Sequence, residues 1–322
     1  MKHLFIINPV AGKGRALQYI PEIKKIFSKK TDDIYFIETT EGPGHATELV
    51  RRYVEKDTYR VYSVGGDGTL NEVLNGIAGS ESSLAVVPAG SGNDFVRSLE
   101  EYDLNATKLY LLESLINGKE KIIDIGKIND RYFINISSVG FDAEVVYHAN
   151  KLKKIPFING LLAYTLGVFL TLINYGNNIV NITIDGNSIE TDILLVAVAN
   201  GKYYGGGMQP VPTANIQDGL FDICLIRSVR RLKIVRFLSK FIKGQHATVE
   251  EVSFHTGKEV KLVPHHEIAL NIDGEISLID HEVVFKIVPN AVKIVVPATS
   301  KSSTSSPASE KDSNIISDEN KY

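Results

Sequence analysis

The 322 residues exceed the usual size of one domain, and 43% hydrophobic with 23% charged residues is the composition of a chain that buries a real core, which excludes wholesale disorder. A formal net charge of -3 gives no overall attraction to nucleic acid, so no nucleic-acid partner is expected and any affinity for an anionic surface must come from a local basic patch. The single cysteine, Cys224, excludes an internal disulfide; in the strand-like run 221–226 it reads as a buried thiol, which fits a reducing cytoplasm.

The opening MKHLFIINPVAGKG is too short in its apolar part for a secretory signal and reads as a buried strand running into a glycine turn. Residues 3–7, 34–38, 60–64 and 84–87 are short apolar runs separated by helical patterns. That alternation predicts a Rossmann-like parallel sheet covered by helices over 1–122, with ligands gathered at the carboxyl ends of the strands.

Three glycine loops follow three of those strands. They are residues 8–14 (NPVAGKG), residues 65–69 (GGDGT, leading into a helix) and residues 88–95 (PAGSGNDF). Glycine lets backbone amides approach phosphate oxygens, and amides opening a helix near Thr69 and Leu70 add a favourable dipole end. None of the loops ends in Gly-Lys-Ser/Thr, so a P-loop fold is disfavoured. Taken alone, GGDG is also an ordinary tight turn. Lys13, Arg15 and Arg97 lie in or just after these loops, where they could offset phosphate charge or simply be solvated.

From about residue 121 the pattern becomes a series of β-branched runs, including 132–137, 179–184, 192–199 and 221–226. Asp185-Gly186 and Asp273-Gly274 are tight-hairpin signals. An antiparallel β-sandwich domain is predicted over 123–297, with a last strand able to return to the first domain. The Ser-rich stretch 298–322 is expected to be disordered. Adjacent His265 and His266 should face opposite sides of a strand and are assigned no chemistry.

Residues 156–175 carry no charged side chain, but their polar residues lower the hydrophobicity below that of a typical bilayer span. They read as a buried or groove-lining helix with Leu161, Leu162, Thr165, Val168, Phe169 and Leu172 on one stripe. In 227–246 a helical projection puts Ile234, Val235, Leu238, Phe241 and Ile242 opposite Lys233, Arg236, Lys240 and Lys243. Such a basic amphipathic helix can lie on anionic membrane or over a protein core.

The loops NPVAGKG, GGDGTLNEVLNG and PAGSGNDF, Thr40 before GPGHA, the segment GGGMQPVPTANIQDGLFD and the late IDGE occur in the order found in the bacterial diacylglycerol kinase family, which the chain resembles over roughly residues 1–297. GGDGT alone is shared with NAD kinases, whereas GNDF, QDGLFD and IDGE together are narrower. The resemblance implies an ATP-dependent lipid kinase feeding phosphatidic acid and phospholipid metabolism. It implies nucleotide binding by Asn8, Pro9, Gly12, Lys13, Thr40, Gly66, Asp67, Gly68, Thr69, Leu70, Asn71, Glu72 and Ser91. Ser91 stands where the family often has threonine and keeps the hydroxyl.

Phosphoryl transfer needs charge neutralisation and alignment, so Asp67, Asp94 and Asp124 are candidates to place Mg²⁺; Asp94 also reads as a helix cap and Asp124 as a strand residue. The resemblance puts a general base at Glu275 and a second, structural magnesium on the Asp218 carboxylate with the carbonyls of Asn215 and Leu220, a stretch that otherwise reads as a turn closed by Asp218-Gly219. The expected partners are a lipid alcohol, with diacylglycerol leading, and the inner membrane surface; a homodimer is compatible with the sequence. The competing readings are an NAD kinase, for which no TPTGSTAY-like acceptor motif is present, and a non-catalytic nucleotide- or lipid-binding regulator.

Overall fold

The computed structural model describes residues 1–298 apart from 31, 153, 154, 156–159, 175 and 177, and leaves the side chains of 160–165, 232, 235, 236, 238 and 239 outside the described set. Apart from Ala298, the tail expected to be disordered therefore lies outside the described residues.

Strands β1 (Lys2–Ile7), β2 (Ile34–Thr39), β3 (Arg60–Gly65) and β4 (Ser83–Pro88) form a parallel sheet in the order β4-β3-β1-β2. Helices α1 (Tyr19–Phe27), α2 (His45–Val54), α3 (Asp67–Ile77) and α4 (Lys108–Ile116) cover it. Buried on both faces, the strands are almost continuously apolar, and alternation divides them between two cores. Leu4, Ile6, Val61, Leu84 and Val86 pack with α2 and α3. Phe5, Ile7, Tyr62, Val64 and Val87 pack with α1 and α4.

His3, 1% exposed, lies in β1 with Nδ1 2.9 Å from the Tyr62 hydroxyl and its ring against Phe27 and Tyr62. Burial, outweighing the nearby Asp33 carboxylate, lowers it from 6.5 to about 4. The native lobe therefore holds a neutral imidazole that the unfolded chain would protonate. Stability from this source is complete above the unfolded value and is lost as the pH falls through 6.5 to about 4. A displacement of that size is worth on the order of 3 kcal/mol. Between neutral pH and pH 4, urea midpoints should show wild type losing about that much more than His3→Gln; parallel losses would clear His3.

The second lobe contains β5 (Lys119–Ile128), β6 (Arg131–Phe133), β7 (Ile136–Gly140), α5 (Phe141–Leu152), α6 (Gly160–Asn174), β8 (Ile179–Ile184), β9 (Asn187–Ala199), β10 (Phe221–Arg227), α7 (Arg231–Ile242), β11 (Val252–Gly257), β12 (Glu259–Pro264), β13 (Ile268–Ile272), β14 (Glu275–Ile279) and β15 (Val283–Val296). One layer runs β14-β13-β7-β9-β10-β11, and the other holds β5, β6, β8, β12 and β15; the long β9 passes from one to the other. Phe133, Val196, Val198, Phe221, Leu262, Leu270 and Phe285 fill the space between them, making a β-sandwich beside the parallel sheet.

Both Asp-Gly pairs are two-residue hairpin turns, with φ of 46° and 86° at 185–186 and 47° and 95° at 273–274. The predicted run 132–137 is instead divided between β6 and β7, and His265 and His266 lie in a bend between β12 and β13 rather than in a strand. The cut at 122/123 falls inside β5, which pairs along its length with β15. Three residues of β15, Lys293 to Val295, pair parallel with β4.

Helices α5, α6 and α7 cover the outer face of the first sandwich layer, around Ala197, Cys224, Ile226, Ile234, Phe237 and Phe241. Cys224 is fully buried 3.8 Å from His246 Nε2, and burial pushes its thiol up to about 12, so it is an inert core group. Val168 and Leu172 of α6 pack inward, but Phe169 is 60% exposed and Ile242 of α7 is 53% exposed, against the expected stripes. The side chains of Leu161, Leu162, Thr165, Val235, Arg236 and Leu238 lie outside the described set. Among the described residues no helix is long and apolar enough to cross a membrane.

Candidate active site

The three glycine loops meet at the carboxyl end of the parallel sheet. A Cβ at Gly90 would lie 2.5 Å from Gly66 Cα, and one at Gly12 would lie 2.1 Å from the Ala89 carbonyl oxygen, so only glycine allows the loops to close on one another. Arg15 fastens them further, donating from Nε to the Gly12 carbonyl and from Nη2 to that of Gly90. Its guanidinium therefore holds backbone, while Lys13 is exposed at φ 59° and is not among the described residues lining the two depressions that these loops form.

Helix α3 begins at Asp67, so the amides of Asp67, Gly68 and Thr69 have no intrahelical partner and form the positive end of its dipole. Asn8 Nδ2 donates to Thr69 Oγ1 at 2.9 Å, tying the first loop to this turn. Two connected depressions result. Asn8, Pro9, Thr40, Gly68, Thr69 and Glu72 line one of about 260 Å³. Asn8, Gly12, Gly66, Asp67, Gly68, Thr69, Ser91 and Glu275 line one of about 390 Å³.

Two residues of the expected nucleotide set point elsewhere. Leu70 is 2% exposed, and its amide is used in the helix, donating to the Gly66 carbonyl. Asn71 is 1% exposed and joins the lobes: Nδ2 donates to the Tyr132 carbonyl and to Asp273 Oδ2, while Oδ1 accepts from Arg131. The side-chain amide at position 71 therefore joins the lobes.

Asp67 Oδ1 accepts from the amides of Asp94, at 2.8 Å, and Phe95. Asp94 is 5% exposed; its Oδ2 accepts from the Gly206 amide at 2.8 Å, while its Oδ1 has no hydrogen-bond partner among the described residues. Burial, with the neighbouring Asp67 charge, raises the Asp94 carboxyl against the pull of Gly206. That oxygen lies 3.7 Å from Arg97 Nε, so the guanidinium already offsets part of its charge; neighbouring carboxylates of this kind supply the oxygens a divalent cation takes. Among the described residues no three His, Cys, Asp or Glu converge, so oxygens from a phosphate ligand would complete such a shell.

Asp124 does not join this pair. It is 1% exposed, and its two oxygens accept from the amides of Gly219 (2.7 Å) and Asn290 (2.8 Å), which makes it the support beneath the 215–220 turn. Both hydrogen bonds that its carboxylate accepts come from backbone. Asn215, Asp218 and Leu220 do share one turn, in which Asp218 Oδ1 accepts from the Leu220 amide and Asn215 Oδ1 from that of Gln217. Their remaining oxygens are of the type a hard cation takes.

Glu275 opens β14, is 49% exposed on its side chain, and is held by Arg131 Nη1 at 2.5 Å. Its position follows from Asp273, whose oxygens accept from the amides of Ile134, Asn135 and Ile136 and from Asn71. Burial raises the Asp273 carboxyl and these four donors oppose that. Arg131 and Asp273 escaped sequence reasoning; the IDGE motif contained one of them, read there only as a turn residue.

A third cavity, about 410 Å³, opens between the lobes and is lined by Asp67, Ser91, Asp94, Asp273 and Gly274 at one end and by Leu70, Phe95, Ile136, Val146, Ala149 and Met208 further in. The three glycine loops, the paired carboxylates and a facing sandwich hairpin define a phosphate-handling, NAD kinase-like class of protein. Residues 2–128 match the diacylglycerol kinase catalytic domain, and residues 135–296 match the YegS C-terminal NAD kinase beta sandwich-like domain. The diacylglycerol kinase of Staphylococcus epidermidis is 31% identical over 275 residues, 84% of each chain, and that of Bacillus subtilis is 29% identical over 275 residues, 84% of this chain and 88% of the other. A crystal structure of a diacylglycerol kinase from Bacillus anthracis superposes with a TM-score of 0.63 at 22% identity, covering 92% of this chain and 96% of that one. The chain belongs to the diacylglycerol kinase family.

Proposed function

We propose that the protein transfers the terminal phosphoryl group of ATP to the hydroxyl of a lipid, diacylglycerol or a related alcohol, yielding a phosphatidic-acid-type product for phospholipid metabolism. The observation that carries this reading is the junction of two cavities: the glycine-loop cleft and the largely apolar interlobe cavity share Asp67, Ser91, Gly92, Asp273 and Gly274. A phosphate chain laid over the loops ends where the head of an apolar molecule arrives.

In this reading the amides opening α3, with Asn8, Thr40, Glu72 and Ser91 around them, bind and orient the triphosphate. Glu275 takes the proton of the lipid hydroxyl as its oxygen bonds to the γ-phosphorus; the bond from that phosphorus to the bridging oxygen breaks and ADP leaves. Apolar lining keeps water from competing for the phosphoryl group. Mg²⁺, which Asp67 and Asp94 would hold, supplies neutralisation of phosphate charge when bound.

The lipid is met at the cytoplasmic face of an anionic membrane, where the exposed Phe169, Ile173 and Ile242 and the exposed Lys240 and Lys243 supply apolar and cationic contacts. The test presents labelled ATP and magnesium with diacylglycerol, a sphingoid base or NAD, the lipids in neutral micelles and in anionic vesicles. Label should enter a lipid, and Lys240→Glu with Lys243→Glu should lower transfer severalfold in vesicles only. Label entering NAD alone would replace the lipid acceptor with a nucleotide one, and equal losses in micelles and vesicles would remove the membrane role.

A further inference from the structure

Glu275 stands on the sandwich, at the start of β14, while the amides that open α3 stand on the other lobe. Proton removal and phosphoryl transfer need the two in register. Backbone fixes only the root of Glu275: the 273–274 turn is held by Asp273 and by the Gly274 amide, which donates to Asn271 Oδ1 at 2.8 Å. The side chain beyond is 49% exposed, so packing leaves its rotamer open.

Arg131, on β6, supplies what packing does not. Its Nη1 lies 2.5 Å from Glu275 Oε2, and its Nη2 donates to Asn71 Oδ1 at 2.9 Å. Asn71 belongs to α3, just past the amides of 67–69, and is buried and pinned by the Tyr132 carbonyl and Asp273. One planar guanidinium therefore spans from the base to the phosphate-binding helix. It does so from behind: Glu275 lines the glycine-loop cleft, whereas Arg131 is not among the described residues lining that cleft, its neighbouring depression or the interlobe cavity. The ion pair uses Oε2, which leaves Oε1 for the acceptor hydroxyl. A pair this exposed adds little to folding stability, but an error of about 1 Å in a reacting group can cost about 10²-fold in rate. Alignment is thus the larger effect.

We infer that Arg131 is a positioning residue that ties the Glu275 carboxylate to α3 through Asn71, holding the proton acceptor in register with the terminal phosphate across the lobe boundary. The inference rests on the lipid-kinase reading, with Glu275 as its base, and deepens it. Arg131 touches neither ATP nor lipid in this role; it acts only through Glu275.

The test measures kcat, KM for ATP and urea midpoints for Arg131→Met and Arg131→Lys, each alone and combined with Glu275→Gln, on diacylglycerol in neutral micelles. Arg131→Met should lower kcat by about 10–100-fold, with KM for ATP within about twofold and the urea midpoint close to wild type. Arg131→Lys keeps a cation for Glu275 but loses the fork that also reaches Asn71, so it should recover part of the rate. In the Glu275→Gln background, Arg131→Met should cost no more than about twofold further, because the carboxylate through which it acts is gone. Unchanged kcat in Arg131→Met, or the same fold loss with and without Glu275, would overturn the role. A raised KM for ATP at constant kcat would also overturn it, making Arg131 a phosphate ligand. Wild type that labels no lipid would overturn the lipid-kinase reading and this role with it, whereas additive losses in an active enzyme overturn this role alone.

Discussion

Glu275→Gln should lower kcat for lipid phosphorylation by about 10²–10⁴ while leaving ATP affinity within about twofold. Glutamine preserves the size of the side chain and an oxygen for Arg131, which lies 2.5 Å from the native carboxylate. What it removes is the ability to accept the proton of the attacking hydroxyl. Asp67→Asn should cost about 10³ through lost negative charge beside the phosphates, because its remaining carbonyl oxygen can still accept from the Asp94 amide. Nucleotide titration with turnover on the same preparations separates the two effects. Full turnover in Glu275→Gln would take the base out of the sandwich hairpin; an Asp67→Asn enzyme weakened only in ATP affinity would confine Asp67 to binding.

Asp273→Ala should destabilise the protein by about 3–5 kcal/mol, more than any surface change. The half-buried side chain satisfies three backbone amides and Asn71 Nδ2, and alanine leaves the three amides without that partner while Asn71 keeps only the Tyr132 carbonyl. It also occupies φ 47° at a turn position where aspartate and asparagine are tolerated and alanine is strained. Asp273→Asn repairs the turn but places an amino group against donors, so it should recover only part of the loss. Urea midpoints measure this directly. A change below about 1 kcal/mol would show that the lobes do not depend on this joint, and Glu275 would then owe its position to Arg131 alone.

The parts of this site that were legible in the sequence are those whose chemistry is local. A glycine loop after a strand, an Asp-Gly hairpin and the opening of a helix are written in adjacent residues, and Asn8, Gly66 to Thr69, Ser91 and Glu275 line the same cleft. The contacts of Asp124 are not legible locally, because Gly219 and Asn290 stand 95 and 166 positions away. Asn71 and Leu70 share a motif with Thr69, but helical geometry turns successive side chains by about 100°, sending one into the lobe interface and one toward the interlobe cavity. Arg131 falls in no motif. Its contacts with Glu275 and Asn71 exist only because β6 is carried over the cleft by the sandwich.

The return of β15 to the parallel sheet bears on how the protein is made. On its free side β4 is paired by residues 293–295, so a ribosome-bound chain that has finished residue 128 owns every glycine loop and yet has an open sheet edge. An unpaired edge is a template for foreign strands. The nucleotide lobe therefore stays exposed to mispairing through synthesis of the whole second lobe and is closed only when residues 293–295 emerge. Fragments ending at the border of the catalytic-domain match carry the same open edge permanently.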